Sequence, residues 1–211
     1  MTASALLDRQ AVVRRGRRLT WATIAYNSLE AFLALAAGLM AGSVALVGFG
    51  VDSVIELGSS VAGLWRLHSD ESVADRERSE RRALLVIGCC FLLLAVYVLA
   101  DAVGTLVARE RPKESFVGIL IATGSLVVMP LLARAKRRVA AQLTSRALTA
   151  EARQTEICWY LSLILLAGLV LNAVWDWWWA DPIAGMAMVP LITYEGIEAV
   201  RGRTVCADDC T

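Results

Sequence analysis

Apolar residues gather in six long stretches separated by short polar, mostly basic segments. They run over about Leu19–Met40, Ser43–Leu67, Ala83–Val107, Phe116–Leu132, Ala147–Asn172 and Pro182–Val200. Each can cross a bilayer as a helix, which takes about 20 residues. The pattern predicts an all-α polytopic membrane protein with six transmembrane helices. The first stretch is too long for a cleavable signal peptide, and a second span follows almost at once. The predicted divisions are a basic arm over 1–18, a six-helix domain over 19–201 and a Cys/Asp tail over 202–211.

Charge sets the orientation. Of the 21 Lys and Arg, all but Arg109, Arg111 and Lys113 fall on one side of the predicted membrane. They lie in the arm, in the loop after the second span, in the segment from Arg134 through Lys136 to Arg153, and at Arg201 and Arg203. The positive-inside rule then puts both termini in the cytoplasm and the chain in the cell (inner) membrane. Trp175, Trp177, Trp178 and Trp179 fall at the far end of the fifth span, where an interfacial aromatic belt is expected. His68 and the charged run to Arg82 read as a solvated cytoplasmic turn.

Composition agrees: 57% of the 211 residues are apolar and 19% are charged, against about a quarter charged in soluble domains. The net charge of +1 provides no field to recruit nucleic acid. Five cysteines are too few for a disulfide scaffold. No glycine-rich phosphate loop or Ser-His-Asp set is present, so the chain is not expected to be an enzyme or to carry a cofactor.

Against this apolar background stand ionisable residues at membrane depth: Glu30, Asp52, Glu56, Asp101, Glu151, Glu156 and Glu195. Such residues are expensive in lipid and normally face a bundle interior on a transport path. Asp52 and Glu56 are four apart and share a helix face with Ser59, Ser60 and Gly63. In the fifth span Glu151, Gln154, Thr155, Cys158 and Ser162 form a second polar stripe, with Arg153 and Glu156 pointing elsewhere. At 1.5 Å rise per residue, Glu56, Cys158 and Glu30 each lie roughly 16 Å from the inner ends of their spans, with Asp52 one turn further out and Gln154 one turn further in. Two carboxylates, a thiolate and an amide oxygen make a four-ligand cage for a borderline metal such as Zn²⁺. Mg²⁺ and Ca²⁺ prefer all-oxygen shells. The alternative is that these groups only hydrogen-bond neighbouring helices. Asp101 reads as an outer capping or gating residue, and Glu195 and Glu198 as solvated.

The stretches Gly42-Ser43-Val44-Ala45-Leu46 and Asp52-Ser53-Val54-Ile55-Glu56, followed by Ser59-Ser60, resemble the second span of the cation diffusion facilitators, exporters of divalent metals. Ala150 through Thr155 to Cys158 and Ser162 resembles that family's fifth span, and Ala180-Asp181-Pro182-Ile183-Ala184-Gly185 its opening of the sixth. The resemblance covers about Leu19 to Arg201. It implies a metal site between spans two and five at Asp52, Glu56, Gln154 and Cys158, with Glu30 completing or gating it and Glu151 close by. Whether Glu151 and Glu156 or Gln154 and Cys158 supply the fifth-span ligands stays open. The family's usual His and Asp are replaced by Gln154 and Cys158, so proton exchange falls to Asp52, Glu56, Glu30 or the Cys158 thiol. A desolvated acid can take up a proton and release it on metal binding.

The resemblance implies export of Zn²⁺, with Cd²⁺, Co²⁺, Ni²⁺ and Fe²⁺ also compatible, in exchange for protons. The family commonly continues into a cytoplasmic domain after the sixth span, whereas this sequence runs about ten residues beyond Val200. A short form, dimerised through its transmembrane helices, is therefore expected. Cys206, Asp208, Asp209 and Cys210 could capture metal in the cytoplasm. Cys89 and Cys90, adjacent in the third span, read as core packing. Two other classes compete: a membrane sensor that binds metal without moving it, and a thiol redox protein using Cys89/Cys90 or Cys206/Cys210.

Overall fold

The computed structural model describes residues 3–66, 73–143 and 146–201. Six helices account for nearly all of them: α1 (Ala3–Ala41), α2 (Val44–Arg66), α3 (Val73–Ala108), α4 (Phe116–Leu143), α5 (Arg146–Trp175) and α6 (Ala180–Val200). There is no strand among the described residues. All six are long and apolar enough to cross a membrane, so the chain is a multi-pass membrane protein. In lipid a spanning segment must satisfy its backbone within itself, which leaves the helix as the only open-chain solution.

The burial pattern is inverted relative to a soluble bundle. Phe32, Leu93 and Leu120 are 70% or more exposed, while Asn27, Glu30, Asp52, Glu56 and Thr155 are buried. Apolar side chains face the hydrocarbon, and the polar ones turn inward where partners exist. A tightly packed set between the two, including Phe49, Leu46, Val98, Leu161, Leu165 and Met188, is fully buried.

The helices fall into two groups. α1, α2, α4 and α5 surround the polar interior, α1 lying along α2 and α4, and α5 along α4 and α2. α3 and α6 pack extensively on each other and lean against α2 and α5. Glycine makes the α3–α6 approach possible. A Cβ on Gly88 would stand 2.8 Å from the Gly196 carbonyl oxygen, and one on Gly196 would stand 3.2 Å from that of Gly88.

The helices also outrun the apolar stretches. The basic arm is helical from Ala3, the charged run before the third span is helical from Val73, and α4 continues through Arg134–Arg138 to Leu143. Helix hydrogen bonding is indifferent to the bilayer edge, so the ends of the apolar runs do not mark the ends of the helices. Residues read as loop charges therefore acquire definite helical faces.

At the opposite end of the bundle the turns are tight. Gly42 (φ 66°) reverses the chain between α1 and α2, and Asp176 (φ 53°) does so between α5 and α6. Ser43 caps α2 by accepting the Leu46 amide at 3.1 Å. Its hydroxyl donates to Asp181 of α6 at 2.5 Å, and the Val44 amide donates to the second Asp181 oxygen at 3.0 Å. The loop after α3 is pinned twice: Lys113 N–H donates to the Ala41 carbonyl at 2.8 Å, and the Asn172 amide to that of Pro112 at 3.1 Å. Trp175, Trp177 and Trp179 gather here, all partly exposed.

Candidate metal site

The interior of the four-helix group holds three carboxylates. Glu30 comes from α1, and Asp52 and Glu56 from α2, one turn apart on the face turned toward α1 and α5. All three are buried, Glu56 to within 1% of full burial. Cys158 of α5 is equally enclosed, close enough to Asp52 and Glu56 to interact electrostatically with both. Thus Glu30, Asp52, Glu56 and Cys158 occupy one interior region.

Small hydroxyl residues position the acids. Ser53 donates to Glu30 Oε2 at 2.9 Å, and Ser125 of α4 donates to Glu30 Oε1. Tyr26, one turn before Glu30, lies 2.9 Å from Ser125 Oγ. On the other side Thr155 of α5 donates to Glu56 Oε1 at 2.7 Å. Glu30 thus has both oxygens engaged, whereas Glu56 Oε2 is buried with no partner. The remaining orphaned buried atoms among the described residues cluster on the same helices: both amide atoms of Asn27, Ser60 Oγ and Gln154 Nε2. Fully buried polar groups are nearly always bonded, so this concentration marks the place where the protein holds polar capacity in reserve.

Gln154 sits one turn before Cys158 and is only partly buried. Glu151 lies on α5 a further turn away, and its side chain is not among those described. Glu156 points away from this interior and pairs with Arg137 of α4. His68 and the tail residues Cys206, Asp208, Asp209 and Cys210 lie outside the described residues. As drawn, no three His, Cys, Asp or Glu groups among the described residues converge closely enough to hold a metal ion. The hydroxyl partners explain this: they turn Glu30 toward Ser53 and Ser125, and one oxygen of Glu56 toward Thr155.

Two readings change. Cys89 and Cys90 are exposed on α3, not packed in the core. Neighbouring helical positions differ by about 100°, and here both fall on the lipid-facing arc. Glu198 and Glu195 are partly buried rather than solvated, with Arg201 3.9 Å from Glu198. Asp101 is also partly buried.

The largest surprise is Lys136, whose charge contributed only to the topological count. It is 2% exposed, and its ammonium donates to Thr155 Oγ1 at 3.0 Å. Its position three after buried Ala133 and four before buried Ala140 places it on the inward stripe of α4. The signal was that spacing, masked by three neighbouring arginines.

Two relatives bear on the chain as a whole. It is 27% identical to transmembrane protein 163 of Xenopus laevis over 85% of its own length and 64% of that protein. It is 23% identical to an uncharacterized transporter of a Synechocystis species over 80% of its length and 56% of that protein. The chain therefore spans somewhat less than two thirds of either relative. The model of the cation efflux transmembrane domain matches residues 20–202, which run through all six helices, and the chain belongs to that family.

Proposed function

We propose that this protein is a secondary transporter that moves a divalent transition-metal cation, Zn²⁺ foremost, out of the cytoplasm in exchange for protons. The observation that carries the reading is the burial of Glu30, Asp52, Glu56 and Cys158 in one interior of a six-span bundle, with one Glu56 oxygen unpartnered. Buried acids in excess of the nearby positive charge are costly in a membrane, and a divalent cation satisfies several at once. Membership of the cation efflux family supports the same reading.

In this proposal Asp52 and Glu56 supply the hard oxygens and Cys158 the soft ligand. Such a set favours Zn²⁺ and Cd²⁺ over Mg²⁺ and Ca²⁺. Glu56 needs only to turn its free oxygen toward Cys158. Glu30, held by two hydroxyls, completes the shell by exchanging Ser53 or Ser125 for metal, and the Gln154 amide oxygen approaches from the next turn. Protons carried by the acids leave as the metal arrives and return when it departs. A site fixed at mid-bundle, reached alternately from either side, suffices for transport.

The test is Zn²⁺ uptake into proteoliposomes under an imposed pH gradient, for wild type and for Asp52→Ala/Glu56→Ala. Gradient-dependent flux that vanishes in the double variant is expected. Flux unaffected by the double substitution would refute the site. Saturable Zn²⁺ binding with no flux of any divalent metal would make the protein a sensor.

A further inference from the structure

The acid cluster has a cation of its own. Lys136 projects from α4 into the interior, although it lies near an end of the helix where a lysine stem ordinarily reaches outward to water at little cost. Its neighbours Arg134, Arg137 and Arg138 do so and are exposed. Burying an ammonium is unfavourable unless negative charge is close and the geometry is good. Thr155 supplies the geometry: it accepts from Lys136 Nζ at 3.0 Å while donating to Glu56 Oε1 at 2.7 Å. Ammonium and carboxylate are held two hydrogen bonds apart, joined by one hydroxyl whose donor and acceptor capacities are both in use.

From this geometry we propose that Lys136 is the resident counter-cation of the acid cluster, held to Glu56 through Thr155, and that an arriving divalent cation must compete with it. This rests on the transport reading and adds a positioning residue to it. Lys136 touches no metal in this proposal. It acts through Glu56, stabilising the metal-free cluster and repelling a divalent ion bound beside it. The lysine thereby keeps metal affinity moderate, which a transporter needs because its site must also let go. With three carboxylates against one ammonium, the cluster keeps a net double negative charge when the acids are ionised, equal and opposite to the charge of the cargo.

The experiment uses the purified full-length protein in nanodiscs as wild type, Lys136→Met, Lys136→Gln, Lys136→Arg, Glu56→Gln and Lys136→Met/Glu56→Gln. Melting is recorded without metal, and Zn²⁺ affinity is measured by chelator competition at fixed pH. Without metal, Lys136→Met and Glu56→Gln are each expected to lower the midpoint, and their combination to lower it by clearly less than the sum. Additive shifts would overturn the proposal, whatever the metal does.

With Zn²⁺, Lys136→Met and Lys136→Gln should bind at least tenfold more tightly than wild type, because a fixed positive charge near the ion is gone. Lys136→Arg should stay within about threefold of wild type. A merely structural lysine predicts weaker binding in all three variants. Unchanged or weaker binding in both neutral variants would overturn the competition. Glutamine retains a donor toward Thr155, so it tests charge even if the methionine variant folds poorly. Should wild type bind Zn²⁺ yet move none, the transport reading fails while the melting and affinity comparisons stand on their own.

Discussion

Asp181 and Glu56 are both carboxylates buried in a membrane bundle, and they are treated in opposite ways. Asp181 is saturated: it takes the Ser43 hydroxyl and the Val44 amide, and so ties the start of α6 to the start of α2. Those backbone amides are among the orphans every helix start presents, and a carboxylate there also faces the positive end of the helix dipole. Glu56 accepts from Thr155 on one oxygen and leaves the other bare. Burial and charge alone do not separate a structural acid from a working one. The number of bonds each has left to make does.

Substitutions test that contrast. The largest effect is expected from Asp52→Ala/Glu56→Ala, which should cut Zn²⁺ flux in proteoliposomes at least hundredfold, equivalent to about 2.8 kcal/mol, at 1.4 kcal/mol per tenfold. Its melting midpoint in detergent should fall too, because Lys136 is left buried without the acid it is held to. Asp181→Ala should lose stability alone. Stranding the Val44 amide and the Ser43 hydroxyl costs about 2 kcal/mol of stability, read by chemical or thermal unfolding, while flux per folded molecule holds. If Asp181→Ala abolished flux without destabilising, the two acids would not differ as argued.

Cys158→Ser sharpens the comparison from the ligand side. Replacing thiolate by hydroxyl should weaken Cd²⁺ about tenfold more than Mn²⁺ in competition assays, because the soft donor is gone. Tyr26→Phe is the smallest test. It removes the hydroxyl 2.9 Å from Ser125 and should cost about 1 kcal/mol in stability at most.

Much of this architecture is legible in the sequence because lipid imposes a length and a composition on each span. The Asp52/Glu56 pair stands out because a four-residue spacing in an apolar helix needs no tertiary information to be noticed. The same logic fails at the helix ends. α4 continues through a run of basic residues, and inside that run only the α4–α5 packing tells Lys136 from Arg137. The serines were hidden for another reason: Ser53 and Ser125 look innocuous in any window, and their role as hydrogen-bond donors to Glu30 arises from three helices meeting. Cys89 and Cys90 misled because free cysteine is usually buried in soluble proteins. In a bundle whose exterior is hydrocarbon, a small apolar side chain is equally at home outside.

The Gly88–Gly196 contact carries a consequence for anyone who ranks positions by their chemistry. Neither residue has a charge, a ligand atom or a polar group, and both lie on the helix pair that supplies none of the acids at the candidate site. Yet a first side-chain atom on Gly88 would stand 2.8 Å from the Gly196 carbonyl oxygen, and one on Gly196 would stand 3.2 Å from that of Gly88. A saturation screen for growth or expression should therefore show two positions that reject even alanine, silent to every argument about metal chemistry and decided by one missing carbon atom.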